Sequence, residues 1–333
     1  MGRQVHAGDL MINCAILGLG RWGQSLVEAA QRGGRLKITH AVEPDGERAR
    51  DVCAVHDLLL TEGLDTVLAN PTIEAVILAT PHSQHLAQVI AVASAQKQVF
   101  CEKPLALRSE HALQMFEACR AAGVTLAVGH NRRFWPSLGA LREIVRLGQL
   151  GTILHVEGHN SNENSKAVTS GWRLSAEESP GGGLTGAGLH VLDAFVSLVG
   201  PARRVYARLS PRELGPPPLD SAMLAIDFAS GVTGTLATVR TTPFYWRVHV
   251  FGTNGSAEVL DELTLVRRRS GAKPETISYP SVDVLASELS AFADAIEHRR
   301  PFPILESEVV ATLAAFEAAL RSMEFGQPVT CHP

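Results

Sequence analysis

The chain has 333 residues, of which 45% are hydrophobic and 19% charged, with a formal net charge of −4. That length supports a large core and favours two domains, and the mild acidity argues against nucleic acid or a membrane surface as the main partner. No apolar run reaches the ~18–20 residues of a membrane span.

Residues 1–10 (MGRQVHAGDL) are polar, aperiodic and lack a signal-peptide pattern, so they read as a disordered extension. The apolar run Ile12–Leu17 predicts a strand, and Gly18-Leu-Gly20-Arg21-Trp22-Gly23 follows it and leads into a helical pattern. Next come a strand over Leu36–Val42, a helix over Glu47–Val55, a buried strand over Ala75–Ala79 and a helix over His85–Gln96. A strand over Gln98–Cys101, a helix over Glu110–Ala122 and a strand over Thr125–Gly129 complete the alternation. Strands alternating with helices of this length predict a doubly wound parallel sheet of the α/β class.

After a helix over Ser137–Arg146 the pattern changes. Strand-like runs at Ile153–His159, Arg204–Leu209, Met223–Phe228, Thr233–Val239, Val248–Phe251 and Ala257–Leu260 are joined by turns such as Thr253-Asn254-Gly255. They predict a mainly antiparallel sheet, with a helix over Leu184–Val199 inserted. Gly215 to Leu219 reads as a rigid connection, and Arg267, Arg268 and Arg269 as a solvated strand end. Helices over Val284–Glu297 and Ser307–Met323 close the chain. The expected domains are 11–131 and 132–299, with a C-terminal helix in 300–333 that packs back on the first.

GLGRWG matches GxGxxG between a strand and a helix, the context in which the motif binds a dinucleotide. Gly18 makes the tight turn, Gly20 lets backbone approach pyrophosphate and Gly23 allows close helix–sheet packing. Glu43, just past the second strand and about twenty residues beyond the last glycine, suits the ribose hydroxyls and repels a 2′-phosphate. NAD is therefore favoured, with NADP the alternative because of Arg48. Thr80, Pro81, His82 and His85 follow the Ala75–Ala79 strand at the carboxyl edge of the sheet, where ligands bind. Glu102, Lys103 and Pro104 stand at the next strand end, where a lysine would reach the crevice. The cysteines at 14, 53, 101, 119 and 331 contain no CxxC pair and fit reduced thiols in a cytoplasm. His82 with His85, or His155 with His159, have tolerable metal-ligand spacing, but no carboxylate or thiolate cluster completes a site, so no metal is expected.

The stretch GGGLTGAGLHVLD at 181–193 opens the Leu184–Val199 helix, which is apolar around most of its circumference. Gly186, His190, Asp193 and Ser197 fall at spacings of four, three and four and make one narrow polar stripe. A buried stripe is either internally hydrogen-bonded, as a His190–Asp193 pair, or faces a cleft; the second reading is favoured.

Together GLGRWG (18–23), AVEPDGERA (41–49), ATPHSQH (79–85), CEKPLA (101–106), VGHNRRF (128–134), the Trp172-Arg173 pair and GGGLTGAGLHVLD resemble the glucose–fructose oxidoreductase/inositol dehydrogenase/MocA (Gfo/Idh/MocA) family, in order and spacing. The resemblance runs from about Met11 onward. It implies a Rossmann domain, then an α/β domain with a large open sheet through which members commonly form dimers or tetramers. It also implies oxidation of a secondary alcohol, or reduction of the matching carbonyl, on a sugar, polyol or cyclic diol.

Carried onto this chain, the resemblance makes Lys103 the group that hydrogen-bonds the reacting oxygen and His190 the second proton-handling group. An imidazole with an unperturbed pKa of about 6.5 suits that role. Gly18, Gly20, Arg21, Trp22, Gly23, Glu43, Thr80, Pro81, His82, His85 and Glu102 would hold the cofactor. Asn131, Arg132, Trp172, Arg173 and Asp193 would hold the substrate. One departure stands out: many members carry an Asp where this chain has Gly186, four residues before the histidine. That departure bears on the strength of catalysis and on the substrate subgroup, and it motivates a second reading, a non-catalytic nucleotide-sensing protein. A third is a glycosidase that cycles bound NAD through oxidation and reduction.

Overall fold

The protein is described by a computed structural model over residues 11–163, 171–175, 177–213 and 219–332, apart from the side chains of Arg48, Arg173 and Glu213. The expectations for residues 1–10 and for Gly215 to Pro218 lie outside the described residues. The chain divides into two compact units: residues 1–105, 113–131 and 283–305, and residues 106–112, 132–282 and 306–333.

The first unit alternates β1 (Ile12–Leu17), α1 (Arg21–Gly33), β2 (Leu36–Val42), α2 (Gly46–His56), β3 (Leu59–Thr61), α3 (Leu64–Ala69), β4 (Ala75–Leu78), α4 (His85–Ser94), β5 (Gln98–Glu102), α5 (Ser109–Ala122) and β6 (Leu126–Gly129). The strands are parallel in the order β3-β2-β1-β4-β5-β6. Strands covered on both faces need continuous apolar sequence, and β4 (AVIL) and β6 (LAVG) are buried at every position. The strand order reverses between β1 and β4, so the loops after these two strands diverge and leave a crevice at their carboxyl ends.

The second unit begins with a 3-10 turn that runs on from Asn131 to Phe134, then α6 (Pro136–Arg146) and β7 (Ile153–Asn162). Five residues of π-helix, Leu184–Gly188, lead into α7 (Leu189–Val199), followed by β8 (Ala202–Glu213), β9 (Leu219–Phe228) and β10 (Thr233–Arg240). The chain continues through β11 (Tyr245–Gly252), β12 (Gly255–Val259), β13 (Thr264–Arg268) and β14 (Glu275–Ser278). Among the described residues the sheet has nine strands in the order β14-β13-β12-β11-β7-β10-β9-β8-β15, where β15 is Val329–Thr330. Only β7 and β10 pair in parallel. Glycine decides where α7 lies on this sheet: a Cβ on Gly158 of β7 would sit 2.2 Å from Val191 and 2.7 Å from Phe195. No other residue lets the helix come that close.

Two closing helices go to different units. α8 (Val284–Glu297) groups with the first unit, where Arg35 bonds Asp294 at 2.9 Å and Glu297 at 2.6 Å. Asp283 caps it by accepting from the Ala286 N–H at 3.0 Å. α9 (Glu306–Phe325) groups with the second unit and packs on β8 and α7. No helix among the described residues is long and apolar enough to cross a membrane.

Candidate active site

In the first unit the glycine-rich turn is built around three different needs. Gly18 has φ +91, and a Cβ there would lie 2.6 Å from the Ala79 carbonyl oxygen. A Cβ on Gly23 would lie 2.0 Å from the Gly18 carbonyl oxygen, whereas one on Gly20 would meet nothing within 4 Å. Two glycines therefore close the turn against β4 and α1, and the third leaves open space at the first turn of a helix whose N–H groups favour an anion. Arg21 is exposed and Trp22 half-buried at that helix start. Glu43 accepts the Leu19 N–H at 2.7 Å, and the Gln24 amide donates to the Leu19 carbonyl at 2.9 Å. Gln24 was missed by motif reading because its job is to hold the backbone.

Thr80 and Pro81 follow β4, with the Thr80 hydroxyl 2.6 Å from the Gln88 side-chain oxygen. His82 is half-buried, and its ring meets that of His85 edge-on at 5.8 Å. His85 is fully buried: Nε2 lies 3.1 Å from the Thr80 carbonyl oxygen, and Nδ1 lies 3.1 and 3.2 Å from those of Pro104 and Leu105. It ties the loop after β4 to the loop after β5.

Glu102 ends β5 beside Gly129 of β6, where a Cβ would come within 2.6 Å of its Oε1. Burial pushes the Glu102 carboxyl up to about 7, while Trp22 and Lys103 act to lower it. Its folded pKa lies above the ordinary 4.5, so its favourable contribution is complete below pH 4.5 and is lost as pH rises through 7. The loss amounts to about 3 kcal/mol. Glu102→Gln is expected to flatten the fall in melting temperature between pH 5.5 and 8, measured by calorimetry; equal falls in both proteins would contradict the assignment. Lys103 is half-buried, and its backbone N–H donates to Glu102 at 3.2 Å.

In the second unit, His190 occupies the first turn of α7 and is buried with Asp193. The segment expected as one helix is π-helical over Leu184–Gly188, with the Leu189 N–H reaching the Leu184 carbonyl. Such widened turns recur at functional sites. This one is fastened to the sheet: the Asn160 amide donates to the Ala187 carbonyl at 2.8 Å, and the Gly183 N–H donates to Asp220 at 3.2 Å. Arg240 pairs with the same Asp220. Gly186 is exposed, with open space where a Cβ would stand.

The adjacent arginines have opposite surroundings. Arg133 is buried and pairs with Glu308 and, at 3.8 Å, with Asp193; Arg142 stands 3.9 Å from Glu308. This cluster joins α6, α7 and α9, and in it Asp193 meets an arginine on its own unit. Removing one member of such a buried cluster costs about 3–5 kcal/mol. Arg132 instead lies among aromatic rings, 4.1 Å from the Trp246 centroid, 5.0 Å from Trp135 and 5.8 Å from Phe244. Asn131 is half-buried, as is Trp172, in a 3-10 turn Trp172–Leu174; the Arg173 side chain lies outside the described residues. Of the rival metal pairs, His155 bonds Thr233 and His159 bonds Ser161. Asp294, Glu297 and His298 cluster within the first unit, but Arg35 and Arg300 hold the two carboxylates.

Residues 12–130 match the family described as "Oxidoreductase family, NAD-binding Rossmann fold" (GFO_IDH_MocA), and residues 139–258 match the "GFO/IDH/MocA C-terminal domain". The chain belongs to the Gfo/Idh/MocA family. As a member it is an NAD(P)-dependent oxidoreductase. This Gfo/Idh/MocA protein is 25% identical over 338 residues to the scyllo-inositol 2-dehydrogenase (NAD(+)) of Bacillus subtilis, covering 96% of both chains. It is 28% identical over 257 residues to the 2,7-anhydro-N-acetylneuraminate hydratase of Escherichia coli, covering 75% of this chain and 68% of that one. Its fold matches that of levoglucosan dehydrogenase in complex with NADH and levoglucosan, with a TM-score of 0.87 and 23% identity over 97% of this chain and all of the other.

The residues present fit NAD. The open space at Gly20, the closed turn of Gly18 and Gly23, and Glu43 anchored at the end of β2 make a phosphate cradle with an acid beside it. Glu43→Ala is expected to lower the ratio of kcat/KM with NAD to that with NADP by tenfold or more, measured on one substrate. An unchanged ratio would remove Glu43 from coenzyme selection.

Proposed function

We propose that this oxidoreductase oxidises a secondary alcohol of a sugar, polyol or cyclic diol, or reduces the matching carbonyl, with Lys103 and His190 handling the proton. Bound NAD would supply nicotinamide C4 as the acceptor of the hydride released from the alcohol carbon. Lys103 hydrogen-bonds the reacting oxygen and takes its proton as the carbonyl forms. His190 serves as the second proton-handling group, and its place is held by Gly158 beneath α7 and by Asn160 on the Ala187 carbonyl. Gly18, Gly20, Arg21, Trp22, Gly23, Glu43, Thr80, Pro81, His82 and Glu102 surround the cofactor, with His85 tying two of its loops; Asn131, Arg132, Trp172 and Arg173 meet the substrate.

The observation that carries this reading is that both family motifs for chemistry are retained: a lysine after β5 beside a buried acid, and a histidine on a buried helix whose entry is pinned to the sheet. Neither a nucleotide-sensing protein nor a redox-cycling glycosidase is favoured by the relatives. The test is a panel of sugars, polyols and cyclic diols followed at the nicotinamide absorbance. Tight NAD binding with no turnover of any class would sink the enzyme reading.

The reading includes a cytoplasmic homodimer or homotetramer that pairs through the nine-stranded sheet. In support, α7 packs on one face of that sheet, while Met223 and Tyr245 are 49% and 47% exposed at alternate positions that face the other way. Sedimentation analysis showing a monomer at micromolar concentration would overturn it.

A further inference from the structure

One row of side chains across the second unit's sheet is left with unanswered polarity. Trp246 of β11 pairs in register with Asn160 of β7, and Asn160 pairs with Thr238 of β10. All three are buried, and Trp246 Nε1, Asn160 Oδ1 and Thr238 Oγ1 each have no hydrogen-bond partner among the described residues. Buried polar atoms are nearly always paired, and each exception calls for an explanation such as an ordered water, an ion or a functional role. The row runs under the π-helical turn before His190: Asn160 holds the Ala187 carbonyl, and Thr238 lies against Gly188.

At one end of the row stands Arg132, its guanidinium over the Trp246 ring at 4.1 Å and 5.0 Å from Trp135. It has no ion pair and no hydrogen-bond acceptor among the described residues, and its Nη1 is buried. The residue is half-buried, so part of its charge is withdrawn from water, and contact with aromatic faces returns on the order of 2 kcal/mol. The rings therefore leave a deficit, and burial accordingly pushes the guanidinium down to about 9. A monoanion that accepts from the guanidinium fork would close the deficit. The neighbouring Arg133 shows the contrast, since its charge is met by two carboxylates.

We propose that Arg132, with the Trp246 indole N–H, forms a carboxylate subsite, and that the substrate is a hydroxylated acid: a sugar or cyclic polyol ring whose carboxylate meets Arg132. This rests on the dehydrogenase reading of the same site and narrows its substrate class. A single guanidinium in an apolar cage suits one negative charge better than a phosphate dianion.

The test uses D-glucuronate, D-galacturonate and quinate against D-glucose, D-galactose and myo-inositol, with sugar phosphates as a third set. In the native protein kcat/KM with NAD is expected to be at least tenfold higher for the best acid than for the best neutral compound. In Arg132→Met that ratio falls to near one, and in Arg132→Lys to an intermediate value. The melting temperature of ligand-free Arg132→Met is expected to equal or exceed the native value, because a half-buried charge with no ion pair among the described residues is removed. A second arm measures saturable binding of the same compounds by calorimetry without NAD. Equal use of acids and neutral compounds, retention of the preference in Arg132→Met, preference for a phosphate, or a clear loss of melting temperature in Arg132→Met would each overturn the subsite. If nothing on the panel is turned over, the dehydrogenase reading falls; acid binding that disappears in Arg132→Met would then still support the subsite, and no acid binding would overturn it too.

Discussion

Lys103→Met is expected to lose about a thousandfold in kcat while binding NAD as tightly as the native protein. The size follows from the role proposed for the side chain, since a positioned acid–base group contributes typically 10²–10⁴ in rate. Methionine keeps the length and the apolar stem but can neither donate to the reacting oxygen nor take its proton. The backbone N–H that bonds Glu102 at 3.2 Å is untouched, so the loop after β5 has no reason to move. NAD affinity, read by fluorescence titration, is thus the control, and kcat from single-turnover measurements is the readout. A variant with native kcat would end the lysine assignment; one that loses NAD binding together with kcat would show a structural rather than a chemical role.

Gly23→Ala is expected to weaken NAD binding at least a hundredfold and to lower the melting temperature, whereas Gly20→Ala should lose NAD binding with no thermal penalty. The added methyl at Gly23 would sit 2.0 Å from the Gly18 carbonyl oxygen, backbone against backbone, with Ile16 behind it at 3.7 Å. Relief requires α1 to move away from the turn or Gly18 to leave its φ of +91, and Gly18 is itself pressed against Ala79. Both movements open the cradle and the core beneath it. At Gly20 the methyl meets nothing in the protein, so any effect must come from the bound phosphates. Equal melting temperatures for both variants would mean that the close packing at Gly23 is not needed for stability.

β1, β4, β5 and β6 were legible because each is buried along nearly its whole length and must be almost continuously apolar. Ile12–Leu17 and Leu36–Val42 lie where the pattern predicted them. β3, α3, β13, β14 and β15 were not read. β3 has only three residues and β15 two, and β14 is mostly exposed, so periodicity has little to act on. The Leu184–Val199 helix was read as uniform because a π-helical turn rich in glycine has no apolar period that separates it from an α-helix. In the same way NRRF reads as one polar run. Only the packed structure shows Arg133 ion-paired with Asp193 and Glu308, residues 60 and 175 positions away, and Arg132 against the rings of nearby Trp135 and of distant Trp246.

Sequence alone therefore determined the two-part α/β architecture and the glycine-rich turn between β1 and α1, and it nominated Glu43, Lys103 and His190. Each of these rests on neighbouring residues along the chain, where turn geometry and strand ends act over a few positions. Tertiary structure decided which of two adjacent arginines is met by carboxylates, and which buried polar atoms on β7, β10 and β11 are left without partners among the described residues. Those outcomes depend on burial and charge compensation between segments distant in sequence, and burial is a property of the packed molecule rather than of any stretch of it.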